Sequence, residues 1–305
     1  MWVISLALGL TGAALAVPVA VLLVECLAAL LPEAFRMPPT PDERPFPMTI
    51  LVPAHNEEGG IASTVRGLLH DLGPEDRLVV IADNCTDGTA RVAREAGAEV
   101  VEREDPDLRG KGHAIAFGLR HLDHQPPDVV VLVDADCRLD AAGLGVLAGL
   151  ADAHDRPVQA EYLIATPEDS TPLSAVSGLA VLVRNRVRPR GLRRLGLPCH
   201  LTGSGMAFPW AVLREAPGTG SNLVEDLVMG IEMALMGHPP MSCPAVRVTS
   251  ELPAVDTDAS GQRRRWEHGH VSTLLQHGPR LLWRGVRDLR PDLLGLGLDL
   301  IVPPT

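Results

Sequence analysis

An alternation of short apolar runs with segments of helical spacing, from Met48 to Val133, predicts an α/β fold: a mostly parallel sheet flanked by helices. A second observation adds a membrane element. Trp2 to Leu31 is almost wholly apolar, and ~20 such residues suffice to cross a bilayer, which predicts an N-terminal transmembrane helix over residues 1–31. The third is composition. Of 305 residues, 46% are hydrophobic and 21% charged, the proportions of an ordinary globular chain rather than a disordered one.

The N-terminal run is too long for a signal-peptide core and no Lys or Arg precedes it. Arg36 and Arg44 follow it, and the positive-inside tendency then places the rest of the chain in the cytoplasm, at the inner membrane face. Glu25 interrupts the run and is expected near the headgroups or against another helix. Residues 32–47 form a linker, stiffened by five prolines between Met37 and Pro47. A cytoplasmic domain over 48–290 follows. Met48–Pro53 is a buried strand, and Gly60–Leu72 has the spacing of a helix at Ile61, Val65, Leu68, Leu69 and Leu72. Arg77–Ala82 is a second strand with a helix after it, and Glu99–Val101 is a short third one. Gly112–Leu122 is helical and Asp128–Val133 is the clearest strand. Beyond these, Asp155–Leu163 reads as a strand, Val224–Met236 opens a helix, and Gln262 opens another. Leu293–Val302 is apolar but too short to span, so 291–305 is expected to be the start of a truncated C-terminal membrane region.

The net charge of −11 excludes general nucleic-acid binding, which needs a basic footprint. Five cysteines, Cys26, Cys85, Cys137, Cys199 and Cys243, are widely spaced with no C-x-x-C, which points to a reducing compartment without a disulfide framework or zinc ribbon. Of the 27 basic residues only Lys111 is a lysine. In an arginine-using chain, one lysine marks a place that wants a compact ammonium, or is there by chance.

Chemistry in such sheets gathers at the carboxyl ends of the strands. Here those ends carry Pro53-Ala54-His55-Asn56-Glu57-Glu58, then Asp83-Asn84-Cys85-Thr86-Asp87-Gly88-Thr89, then Asp134-Ala135-Asp136-Cys137. Each alone is explained by turns and helix caps, and Thr86 or Asp87 suits an N-cap. Together they converge on one rim. Asp134 and Asp136, two residues apart after a buried strand, offer hard oxygens suited to Mg2+ or Mn2+, or are two solvated loop acids. Neither G-x-G-x-x-G nor G-x-x-x-x-G-K-[ST] occurs. Gly110-Lys111-Gly112 instead opens a helix, where backbone N–H groups attract anions.

In the second half, six arginines between Arg184 and Arg194 form either a solvated basic face or a contact for anionic headgroups or a pyrophosphate. Leu201–Phe208 is a glycine-rich return. Glu225 and Asp226 are either first-turn acids favoured by the helix dipole or a general base. His268 and His270 have no third ligand nearby and read as structural.

VPAHNEE, ADNCTDGT, GKG, DAD, ED and QRRRW stand in the order found in family 2 glycosyltransferases, and the chain resembles their membrane-bound, polysaccharide-synthase-like branch over residues 46–290. The resemblance implies the A-type glycosyltransferase fold, which binds nucleotide sugars, and inverting transfer from a nucleotide-sugar donor, a UDP-sugar, to a saccharide or lipid-linked acceptor at a lipid membrane. It implies a nucleoside pocket lined by Pro53, Ala54, His55 and Glu57, with Asp83 reading the base and Lys111 near base and phosphates. Asp134 would face the donor and Asp136 would ligate Mg2+ or Mn2+. Asp226 would be the general base beside Glu225, and Gln262, Arg265 and Trp266 would brace the diphosphate and the acceptor entry. Val224 departs from the usual Thr of T-E-D, and no F-x-V-T-x-K gating pattern follows Trp266. A sugar-phosphate nucleotidylyltransferase would need a Gly- and Lys/Arg-rich loop after the first strand, which VPAHNEE lacks. A non-catalytic synthase subunit would be expected to lose motif acids, and none is lost.

Overall fold

The computed structural model describes residues 2–32, 46–165, 172–216, 226–251 and 256–303. In chain order the elements are α1 (Trp2–Ala28), β1 (Met48–Ala54), α2 (Ile61–Leu69), β2 (Arg77–Asp83), α3 (Thr89–Glu95), β3 (Glu99–Arg103), α4 (Lys111–Leu122), β4 (Val129–Leu132), β5 (Arg138–Leu139) and α5 (Gly143–His154). They continue as β6 (Val158–Ala165), α6 (Pro172–Leu182), a π-helical turn (Val183–Val187), α7 (Arg188–Arg194), β7 (Met206–Pro209), α8 (Trp210–Glu215), α9 (Asp226–Met236), β8 (Met241–Glu251), α10 (Asp256–Arg287) and α11 (Pro291–Ile301). The chain divides into two compact units. One comprises Met37–Thr166 and His200–Leu252; the other comprises Met1–Arg36, Pro167–Cys199 and Pro253–Thr305.

The first unit holds an eight-stranded sheet of order β3-β2-β1-β4-β7-β6-β8-β5. The half built from β3, β2, β1 and β4 is parallel, as the alternation of strands and helices predicts. The other half is mixed: β7 runs antiparallel to both β4 and β6, β8 parallel to β6, and β5 antiparallel to β8. The expected mostly parallel sheet is thus true of half of it. Strand side chains alternate between faces. Ile50, Val52, Leu78 and Val80 pack with α2, α3 and α5. Leu51, Val79, Ile81 and Leu132 pack with α4, α8 and α9. Burying each such side chain stabilises the fold by about 1.5–3 kcal/mol. The chain turns back at β1: β2 and β3 extend to one side and β4 lies on the other. Open α/β sheets bind ligands at such a switch point, and here the motif loops leave the sheet at the carboxyl ends of β1 and β4.

In the second unit the expected transmembrane helix is corrected. Among the described residues, no helix is long and apolar enough to cross a membrane. The physical reason lies at the carboxyl end of α1. Pro18 sits inside the helix, and Glu25 is buried in protein rather than set among headgroups. Its Oε2 accepts a bond from Arg188 Nε at 3.0 Å, and Arg188 Nη2 donates to Asp299 Oδ1 at 2.5 Å. A Cβ on Gly191 would run into the Glu25 carbonyl, so α1 and α7 approach backbone to backbone there. Arg188 therefore leaves the predicted basic face for a buried ion pair. His270 is structural as expected, with Nε2 2.9 Å from the Leu300 carbonyl oxygen. Residues 291–302 form α11 and its cap, packed on α1 and α10.

Candidate active site

The loops after β1 and β2 are laced together. Asn56 Oδ1 accepts the Thr86 N–H at 2.8 Å, Thr89 Oγ1 accepts the Glu57 N–H at 2.7 Å, and Asp87 Oδ2 accepts the Glu58 N–H at 3.1 Å. Asp87 Oδ1 also accepts the Thr89 N–H at 3.0 Å, an Asx turn ahead of α3; the N-cap position itself is Gly88, so neither Thr86 nor Asp87 is the cap expected there. Asn56 and Asn84 take the left-handed conformation, which asparagine tolerates better than most side chains. His55 Nδ1 lies 2.7 Å from the Asp83 carbonyl oxygen, which ties the end of Pro53-Ala54-His55 to the end of β2. The Asp83 side chain is buried and paired with Arg103 of β3 at 2.5 Å.

A second cluster forms beyond β4. Lys111, the first residue of α4, places Nζ 2.6 Å from Asp134 Oδ1 and also donates to the Gly203 carbonyl. Gly203 has φ +102°, and a Cβ there would sit 3.0 Å from Asp226 Oδ2 and 3.8 Å from Lys111 Nζ. Only glycine fits where the return before β7 passes between these groups. Burial pushes the Lys111 pKa down, but the carboxylates of Asp226 and Asp134 outweigh it and hold the ammonium firmly charged. Burial raises the Asp134 carboxyl, with Lys111 opposing and the Asp226 and Asp136 charges adding to the rise. Glu57 is also raised, by burial first and then by Asp136 and Asp87.

Donor atoms of Asp134, Asp136 and Cys137 lie within 4.8 Å of one another. The buried Cys137 thiol donates to Asp136 Oδ1 at 3.6 Å, and burial pushes its pKa up to about 12. Carboxylate oxygens are therefore the ligands on offer, a hard set that fits Mg2+ or Mn2+.

The structure thus brings Pro53, Ala54, His55, Glu57, Asp83, Lys111, Asp134, Asp136 and Asp226 to the carboxyl-end rim of one unit. Glu225 lies outside the described residues. Gln262, Arg265 and Trp266 lie on α10 in the other unit, and their side chains are outside the described residues.

Three residues of the rim escape sequence reasoning. Arg103 ends a strand predicted to stop at Val101. Gln159 is buried, donates Nε2 to the Ser204 and Ala160 carbonyls at 2.9 Å, and accepts the Thr202 N–H at 2.8 Å. Ser204 Oγ accepts the Asp134 N–H at 3.0 Å. Gln159 shares β6 with a second buried polar residue, Glu161, two positions on and so on the same face of the strand.

A family model described as glycosyltransferase like family 2 matches residues 45–269. Over 111 residues the chain is 34% identical to the low-salt glycan biosynthesis hexosyltransferase Agl6 of Haloferax volcanii, covering 35% of this chain and 25% of that protein. Over 92 residues it is 38% identical to 4,4'-diaponeurosporenoate glycosyltransferase of Staphylococcus aureus, covering 29% of this chain and 24% of that protein. The match spans about a quarter of the length of these curated relatives. Among solved structures, the mannosyltransferase PcManGT of Pyrobaculum calidifontis, in complex with GDP-Man and Mn2+, aligns with a TM-score of 0.64 at 21% identity. That alignment covers 97% of this chain and 81% of that chain, and it shows a shared fold.

Proposed function

Given that this chain belongs to glycosyltransferase-like family 2, we propose that it transfers a sugar from a UDP-sugar donor, with inversion, to a saccharide or lipid-linked acceptor. The observation that carries this reading is the meeting of Lys111, Asp134 and Asp226 around Gly203. Inverting transfer needs a base on the acceptor side and positive charge on the leaving diphosphate. Asp226 is the one carboxylate of the group without a bonded partner in the described residues, and it takes the proton of the acceptor hydroxyl. Lys111 stays charged and is held rigidly by Asp134 and the Gly203 carbonyl, beside the diphosphate. Asp134 and Asp136 hold the divalent cation, Mg2+ or Mn2+. When bound, it supplies charge neutralisation to the leaving group. His55, Glu57 and Asp83 line the nucleoside end.

The deciding experiment offers a panel of nucleotide sugars with Mn2+ and measures nucleoside diphosphate release alongside calorimetric UDP binding. UDP binding with release from a UDP-sugar is the expected result. Absence of both overturns the reading.

We also propose that transfer takes place at the cytoplasmic face of a membrane, with the helical unit resting on the lipid surface. Large apolar side chains stand exposed on α1 (Leu15, Val19, Leu23 and Leu27) and on α10 (Leu275 and Trp283), which supports a lipid-facing role. Flotation with anionic vesicles tests it. Retention at the bottom of the gradient overturns it.

A further inference from the structure

The Asp83 carboxylate is not a free acceptor. Among the described residues both of its side-chain bonds go to one oxygen: Arg103 Nη1 reaches Oδ1 at 2.5 Å and Asn84 Nδ2 reaches Oδ1 at 3.2 Å. Among the described residues Oδ2 receives no bond. Arg103 is itself held on several sides. Parallel register sets it beside Asp83 across β2 and β3. Its Nη2 pairs with Asp105 Oδ2 at 3.1 Å, and its carbonyl accepts the Asn84 N–H at 2.7 Å. The Asp105 N–H closes the ring on Asn84 Oδ1 at 2.8 Å. The other described residues of β3 are half-buried or exposed, yet its terminal arginine is only 7% exposed. Burying a guanidinium is costly unless it is paired and hydrogen-bonded, and Arg103 meets that cost through Asp83 and Asp105.

Resting on the reading of this rim as the nucleoside pocket, we infer that Arg103 sets base selectivity there. By occupying Asp83 Oδ1 it leaves one acceptor, Oδ2, and so admits uracil and refuses guanine. Each carboxylate oxygen has two lone-pair directions, and Oδ1 has spent both. Uracil presents a single imide N–H between two carbonyls, which one oxygen satisfies. Guanine presents N1–H and an N2 amino group side by side, which require both oxygens of a carboxylate. Cytosine and adenine present a bare ring nitrogen, which a carboxylate repels. Arg103 is thus a positioning residue that acts through Asp83.

The test measures UDP and GDP affinities by calorimetry, in the presence of Mn2+, on the full chain and on Arg103→Met, Arg103→Lys and Asp105→Asn. The wild type is expected to prefer UDP. Arg103→Met frees Oδ1, and the UDP:GDP ratio is expected to fall by at least about tenfold, the scale of one hydrogen bond to a charged group. Arg103→Lys, which still donates to Oδ1, is expected to keep most of the preference. Asp105→Asn loosens Arg103 from its half-exposed side and is expected to shift the ratio in the same direction by less. A merely structural arginine would weaken both nucleotides alike. Arg103→Met with the wild-type ratio overturns the inference, as does a wild type without preference. If Arg103→Met does not fold, an unchanged ratio in Asp105→Asn overturns it instead. A wild type that binds neither nucleotide overturns the reading of the pocket itself.

Discussion

Lys111 Nζ stands 2.6 Å from Asp134 Oδ1, which sets the chain's single lysine among the acids beyond β4. The Gly203 carbonyl takes a second of its three protons, so the ammonium is fixed before any ligand arrives. Replacing it with Met removes a preorganised charge, and one such donor is worth about 10²–10³-fold in rate. Lys111→Met is therefore expected to lower transfer at saturating donor by that order. Lys111→Arg is expected to recover little, because a planar guanidinium does not fit between Asp134 and Gly203. Initial rates of nucleoside diphosphate release measure both, and a rate close to wild type in Lys111→Met would contradict the role.

Asp226 faces Gly203 from the first turn of α9. A base and a helix-dipole acid predict different consequences for Asp226→Asn. A base that cannot accept a proton costs about 10²–10⁴-fold in rate while donor affinity stays near wild type. A first-turn acid costs a few tenths of a kcal/mol in stability and nothing in rate. Rate at saturating donor and donor affinity, measured on the same preparation, separate the two.

Asp134 and Asp136 offer carboxylate oxygens, while the Cys137 thiol is engaged as a donor. Chelation with EDTA is expected to abolish transfer, and Mn2+ or Mg2+ to restore it. Asp136 is exposed, so Asp136→Asn is expected to leave the melting temperature unchanged while raising the Mn2+ concentration needed for half-maximal activity. Activity undiminished in excess chelator would rule out a metal-assisted reaction.

What the sequence makes legible here is local. The apolar runs mark β1, β2 and β4 because a strand buried on both faces must be apolar throughout. The acids and the lysine stand out because they follow those runs directly. Contacts between distant segments leave no such trace. Nothing in Met206–Pro209 announces that it enters the sheet antiparallel between β4 and β6. Arg103 looks like another charge in an acidic and basic stretch until register places it on Asp83. The N-terminal run misleads for the same reason. Hydropathy sees its leucines and valines, but not that Glu25 meets Arg188 and that Asp299 shares the same guanidinium.

That last cluster carries a pH prediction. Burial, and then the charge of Asp299, raise the Glu25 pKa from 4.5 to about 8, against the attraction of Arg188. Two acids face one arginine there, and Glu25 Oε1 is buried without a partner among the described residues. With a folded-state value above the unfolded one, the native chain holds a proton that the unfolded chain has released. Stability from this group is therefore full at low pH and is lost as pH rises from about 4.5 to about 8. One group contributes at most about 1.4 kcal/mol per pH unit in that window. Glu25→Gln keeps the shape and an oxygen for Arg188 but does not ionise, so its stability is expected to fall less across the same range. Thermal melts of both proteins at several values from about pH 5 to about pH 9 make the comparison, each against its own low-pH value. The wild type is expected to lose more than the variant, and the variant to be the more stable of the two above about pH 8. Parallel curves would mean that Glu25 is ionised throughout and that Arg188 alone compensates its burial.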